Sequence, residues 1–181
     1  MQAPASPLSG YHVHMGNAAH RHLDTPLGPL ILARTAQGLC GVWFEEGQKD
    51  GPAPDRYPRA QDDVQDQLLQ AVCTALQAYF GGQPLVLQVP LDLSAGTEFQ
   101  QAVWRQLLTL NHGQLGHYGA IARAIGRPRA VRAVGAAVGR NPISLIVPCH
   151  RVLGSTGALT GYAGGLWRKQ ALLQLEGHSL R

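Results

Sequence analysis

The sequence predicts two unlike halves, a small α/β unit over residues 1–94 and a mainly α unit over residues 95–181. Three observations predict this. Apolar runs around turn signals, then one amphipathic helix, fill the first half. Helical periodicity fills the second, where two short helices meet at a tight glycine-containing turn, the pattern of a helix-turn-helix. Charge divides at the same place. Residues 1–94 hold five Arg or Lys and nine Asp or Glu, while residues 95–181 hold ten and two, about −4 and +8 in a chain of net charge +4.

Residues 1–20 carry Pro4, Pro7, Gly10 and Gly16 with little periodicity and read as a loose lead-in. His12, His14, His20 and His22 lack cysteines or carboxylates at ligand spacing, so an exposed polar arm is expected and no metal site. His20 to Thr25 reads as a strand, and Pro26–Leu27–Gly28–Pro29 as a turn. Leu30 to Ala33 and Leu39 to Phe44 are two more strands around a turn near Gln37–Gly38, completing an antiparallel sheet. Residues 48–60 form an exposed loop. Asp62 or Asp63 can then cap a helix with apolar positions Leu68, Leu69, Val72, Leu76 and Tyr79–Phe80, closed by Gly81–Gly82. Cys73 packs within it.

The boundary falls near Ser94–Gly96. Thr97 caps the next helix with Gln100 in the capping-box position, and Phe99, Val103, Leu107 and Leu110 form its inward stripe. Tyr118 to Ile125 is a short helix ending at Gly126. A second follows from about Arg129 to Val138, with Val131, Val134 and Val138 on one side. Its small residues allow close approach either to neighbouring protein or to a DNA groove, and Arg132 projects among them. Trp167 to Leu175 is the final helix, followed by Glu176, one of only two acids in this half. Nine of the ten cations here are arginine, which forks onto phosphate and stacks on bases, so this half carries a nucleic-acid footprint.

Ile143 to Val147 is apolar and β-branched and reads as a buried strand stopped by Pro148. Cys149, His150 and Arg151 follow. Cys149 by itself reads more readily as a small core hydrophobe than as a nucleophile. An adjacent imidazole and guanidinium favour a thiolate, the reactive form, although neighbouring side chains can diverge so that His150 reaches the sulfur only through a water. Cys40, Cys73 and Cys149 form no C-x-x-C pair, and no window approaches the ~20 apolar residues of a membrane span. Without a basic then apolar leader, a cytoplasmic protein with free thiols is expected.

Asn141–Pro142, Pro148–Cys149–His150–Arg151–Val152 and Gly161–Tyr162–Ala163–Gly164–Gly165 together resemble the O6-alkylguanine-DNA alkyltransferases. The resemblance is strong from about Thr97 to His178 and weaker over residues 20–94. It implies a ribonuclease-H-like α/β domain followed by a winged-helix-like domain. The activity it implies is irreversible, single-turnover transfer of an alkyl group from O6 of guanine, and also from O4-alkylthymine, to Cys149. No cofactor is implied. The partner is double-stranded DNA, held at the minor groove with the damaged base flipped out, and the protein is a monomer in solution that can assemble on DNA.

The resemblance also assigns roles. His150 is the base and Glu176 orients it; Tyr118 donates to guanine N3, and Asn141 is the hinge before the acceptor segment. Arg132 fills the space left by the base, with Arg129, Arg140 and Arg151 alongside it on DNA. Val138, Ser144, Val152, Tyr162 and Ala163 line the pocket. Ser144 and Ala163 depart from some relatives, which bears on pocket size. A lesion-binding protein of the same fold would lack Cys149. A cysteine hydrolase usually separates its Cys and His in sequence and needs no basic helix-turn-helix. A plain winged-helix regulator leaves Cys149, His150 and Glu176 unexplained.

Overall fold

The computed structural model describes residues 19–53 and 55–179, so the expectations for His12, His14 and most of the lead-in lie outside the described residues. Three antiparallel strands come first: β1 (Ala19–Leu23), β2 (Leu30–Thr35) and β3 (Gly38–Phe44), in that order across the sheet. Alternation along β2 sends Leu30 and Leu32 into the main core, and Ile31 and Ala33 to the opposite face with Cys40, Trp43 and Tyr57. Helix α1 (Gln67–Phe80) covers the core face through Leu69, Val72, Cys73, Leu76 and Tyr79.

Asp66 caps α1, accepting from the Leu69 amide at 2.9 Å, and not Asp62 or Asp63. Asp62 is held elsewhere: its Oδ1 lies 2.6 Å from His22 Nδ1, and its Oδ2 accepts from the His22 amide. An Asx residue caps only where the chain turns into the helix, and the contact with His22 on β1 moves that point four residues downstream.

The outer edge of β3 pairs within its own half and across to the other. Leu39 forms a parallel bridge with Leu91, and Val42 forms one with Ile143 of the second half. Val42 donates to the Pro142 carbonyl and accepts from the Ser144 amide, at 2.9 and 3.0 Å. The segment leading to Cys149 is thus hooked onto the N-terminal sheet.

In the second half, α2 (Glu98–Leu107) begins with the full Thr97–Gln100 capping box. Its buried residues are Val103, Trp104 and Leu107, with Phe99 and Leu110 only partly covered. Trp104, outside the expected stripe, is wholly buried, and its indole N–H donates to the Ala137 carbonyl at 2.8 Å. That bond ties α2 to the second helix of the helix-turn-helix pair. The pair is α3 (Tyr118–Ala124) and α4 (Val131–Gly139), separated by Gly126 at φ 70°. Helix α4 starts two residues later than expected, so Arg129 lies in the turn before it. Val131 is 40% exposed and belongs to the outer face; Val134, Ala137 and Val138 make the inner one. Two-residue strands β4 (Gly116–His117) and β5 (Val152–Leu153) pair in parallel, and α5 (Leu166–Leu175) closes the chain.

The buried strand expected at residues 143–147 does not form. Ile143 makes a single bridge, Leu145 takes φ 72°, and Val147 donates back to the Ile143 carbonyl at 2.9 Å. Ile143, Leu145 and Val147 are all buried, so composition there reports burial and not extension.

Candidate active site

Asn141 follows α4, and its side chain organises the turn. Its Oδ1 accepts from the Ile143 amide at 3.0 Å, while its Nδ2 donates to the Val147 carbonyl at 2.8 Å and to Cys149 Sγ at 3.1 Å. One amide therefore shapes the backbone and hydrogen-bonds the thiol. Cys149 opens a 3₁₀ turn (Cys149–Arg151) after Pro148 and is only 4% exposed. Burial pushes its pKa up; the Asn141 amide and the positive charge of Lys169 pull the other way.

His150 and Glu176 are the deepest polar pair. His150 Nε2 lies 2.9 Å from Glu176 Oε1, with both side chains at 0% exposure. An ionised carboxylate only accepts, so Nε2 carries the proton in this contact. Nδ1 is buried without a protein partner. Burial depresses the His150 pKa, and the bond to Glu176 opposes that. Burial alone would raise the Glu176 carboxyl, but donors from His150, Arg151 and Tyr79 hold it well below the usual range.

Arg151 corrects an expectation. It is 6% exposed and faces away from solvent, forking Nε onto Glu176 Oε2 and Nη2 onto Oε1, each at 2.8 Å, while Nη1 donates to the Leu110 carbonyl. An arginine on the DNA face needs free donors, and these are spent on the interior. Arg129, Arg132 and Arg140 are exposed as expected, with Arg132 on the outer side of α4.

The residues expected to line a pocket come from several elements. Tyr118, half-buried at the start of α3, donates to the Thr160 carbonyl at 3.3 Å. Tyr162 is partly buried with its hydroxyl enclosed; burial and the nearby Cys149 raise its pKa well above the ordinary value. Val138 and Val152 are buried on either side of the segment that carries Cys149, at the end of α4 and on β5. Gly164 has no room for a side chain, since a Cβ there would lie 2.8 Å from the Tyr162 ring and 3.0 Å from Phe44. The Ala163 carbonyl accepts from the Lys49 amide at 2.8 Å, and the Ser144 hydroxyl accepts from Gln48 at 3.3 Å. Ser144 and Ala163 therefore both touch the loop after β3.

Three residues around the site were not foreseen. Lys169 on α5 is wholly buried, and its ammonium donates to the carbonyls of Val152 and Thr160 at 2.5 and 2.7 Å. Burial lowers its pKa to about 8, against the pull of Cys149. The one lysine among ten C-terminal cations was the available signal. Arg168 is clasped between the rings of Phe44 and Trp167, at 4.3 and 4.5 Å from their centroids. It donates to the carbonyls of Leu27, Glu46 and Gly164, fastening the glycine loop to the N-terminal half. Tyr79 reaches Glu176 from α1. Among the described residues, no group of three or more His, Cys, Asp or Glu is placed to hold a metal.

Known proteins are similar to this chain in sequence and in shape. Residues 19–93 match the ribonuclease-like domain of 6-O-methylguanine DNA methyltransferase, and residues 98–178 match its DNA binding domain. The chain is 47% identical over 160 residues to the methylated-DNA–protein-cysteine methyltransferase of Mycobacterium tuberculosis, covering 87% of this chain and 91% of that one. It is 45% identical over 154 residues to the protein of the same name from Methanosarcina acetivorans, covering 85% and 95%. The crystal structure of Mycobacterium tuberculosis OGT in complex with DNA superposes with a TM-score of 0.76 at 45% identity, over 87% of this chain and 92% of that one. Two matched domains that together span most of the chain, with Cys149 inside the second, place this chain in the 6-O-methylguanine DNA methyltransferase family.

Proposed function

We propose that this protein repairs DNA by direct reversal, accepting the alkyl group of O6-alkylguanine on Cys149 in a methylated-DNA–protein-cysteine methyltransferase reaction. The observation that carries the assignment to Cys149 is its setting. A buried thiol accepts a hydrogen bond from Asn141, lies near the Lys169 ammonium, and precedes a histidine locked onto a buried carboxylate.

The residues divide the work. His150 takes the thiol proton through a bridging water at Nδ1, while Glu176 holds Nε2 and supports the imidazolium. The thiolate attacks the alkyl carbon, an S–C bond forms, and the C–O6 bond breaks with its electrons returning to the base. Tyr118 donates toward N3 as negative charge develops there. Lys169 and Asn141 stabilise the thiolate before attack. The resulting thioether is a poor leaving group, so each molecule acts once; O4-alkylthymine is a second substrate.

Flipping a base costs a few kcal/mol and brings the reacting carbon out of the stack. DNA lies against α3 and α4, with Arg132 entering the duplex at the minor groove and Arg129 and Arg140 on the backbone. Residues 1–94 act as scaffold for the acceptor domain at 95–181. The protein works in the cytoplasm as a monomer that can assemble on DNA.

The test is intact-protein mass after incubation with duplex DNA containing O6-methylguanine. One added methyl, mapped to Cys149 and absent from Cys149→Ser, is the expected result. An unmodified Cys149, or repeated turnover with excess substrate, refutes the assignment. Cys149→Ser still binds DNA.

A further inference from the structure

Tyr79 occupies the last turn of α1, in the half of the chain that carries no acceptor group. Its side chain is wholly buried, yet its hydroxyl is not idle: it donates to Glu176 Oε1 at 2.8 Å, 97 residues away in sequence. The same oxygen faces His150 Nε2 at 2.9 Å and Arg151 Nη2 at 2.8 Å. Oε2 accepts from Arg151 Nε at 2.8 Å and from the Gly113 amide at 3.3 Å. Five donors thus converge on one carboxylate, three of them on Oε1, whereas a carboxylate oxygen offers about two lone-pair sites.

We infer that Tyr79 is a positioning residue for alkyl transfer, sharing Glu176 Oε1 with His150 and thereby limiting how strongly that carboxylate supports the imidazolium. The inference rests on the proposed His150–Glu176 role and extends it, by bringing a residue of the N-terminal half into the proton balance of the acceptor site. Every donor on a carboxylate withdraws charge from the others. Arg151 already fixes both oxygens by its fork, so the Tyr79 hydroxyl is not needed to hold Glu176 in place. What it changes is the charge left for His150.

The other groups facing this pair stay constant when the hydroxyl alone is removed. Arg151 and Lys169 both oppose protonation of His150. Cys149 adjoins it, and the exposed His112 ring meets Tyr79 edge-on at 6.3 Å. Burial and the charge of Glu176 push the Tyr79 pKa well above its ordinary value, so the hydroxyl remains a donor through the working range.

Tyr79→Phe keeps the ring and deletes the donor. The His150 ring is titrated by NMR in both proteins, alongside the pH dependence of single-turnover methyl transfer. The expected result is a rise of about threefold or more in the proton affinity of His150, as for any group whose ionic partner loses a competing donor. The acid limb of the rate profile, which marks protonation of this base, moves to higher pH with it. Tyr79→3-fluorotyrosine, with the same ring and a stronger donor, shifts both the other way and decides the matter should the phenylalanine variant fold poorly. An unmoved or reduced His150 affinity in Tyr79→Phe overturns the inference, as does a shift in the same direction in both variants. The intact-mass measurement separates the two levels. If Cys149 of the unaltered protein takes no methyl, the proposed chemistry fails; if it does and His150 is unmoved, only the role of Tyr79 fails.

Discussion

Glu176→Gln changes one oxygen to an amide nitrogen at the centre of the buried network. The substitution preserves shape and one acceptor for His150, but removes the charge and turns an N–H₂ toward the Arg151 fork. Both Glu176 and His150 have fully buried side chains, and Arg151 is 7% exposed, so water cannot compensate. Removing one partner of such a pair costs about 3–5 kcal/mol. A domain of this size loses about 2–4 °C per kcal/mol, so the Tm falls by about 6–20 °C while the protein stays folded at 25 °C. The imidazolium loses a charge-assisted bond of about 1.5–3 kcal/mol, and single-turnover methyl transfer slows about 10- to 100-fold.

The pH dependence carries a further sign. The Glu176 carboxyl is depressed in the folded state. It therefore binds fewer protons folded than unfolded. Its contribution to stability is complete above the ordinary glutamate value, about 4.3, and is lost as pH falls through the folded one. The gap in Tm between wild type and Glu176→Gln is therefore widest near neutrality and narrows in acid. Calorimetry across pH, thiol ionisation of Cys149 and rapid-quench transfer rates check the three parts. Unchanged Cys149 ionisation and transfer rate in the glutamine variant would refute the reasoning, leaving Glu176 as a structural anchor for Arg151.

Arg132→Ala slows repair of duplex DNA at least tenfold more than reaction with the free modified base, measured as single-turnover rates; equal losses would assign Arg132 to the fold or the chemistry. DNA affinity weakens with salt, each phosphate met by an exposed arginine such as Arg129 or Arg140 adding roughly −0.9 to the slope of log K against log salt, and a flat titration would put these residues off the interface. Lys169 loses its charge as pH rises through about 8, and with it the support for the thiolate, so the transfer rate falls on that alkaline limb. Lys169→Met lowers the rate about tenfold at pH 7 and abolishes the limb, which a rate–pH profile in both proteins tests.

Much of the fold was legible because its signals are local. The Thr97–Gln100 box, the hairpin turns and the glycine between α3 and α4 each need only a few neighbouring residues to act, and each sits where the pattern placed it. The strand expected before Pro148 was misread because burial on all sides and extension leave the same apolar run. Here the Asn141 side chain takes the backbone groups that a sheet would have paired. The cap of α1 slipped from Asp62 to Asp66 because His22, some forty residues earlier, claims the first carboxylate.

The sequence by itself determined the order of the elements, the basic second half and the adjacency of a thiol, an imidazole and a guanidinium at Cys149 to Arg151. It could not say where each charge goes. A guanidinium reads the same whether it meets phosphate, as Arg129 and Arg140 are proposed to do, or forks onto a buried carboxylate as Arg151 does. That choice follows from burial, and burial is set by partners brought from far along the chain: Tyr79 on α1, Leu110 after α2 and Glu176 after α5. Lys169 and Arg168 are neighbours in sequence, yet one donates to the Val152 and Thr160 carbonyls near Cys149 and the other spans the two halves. Only the packed structure decides this, because the cost of burying a charge is met by the full set of donors and acceptors around it, and that set exists only after folding.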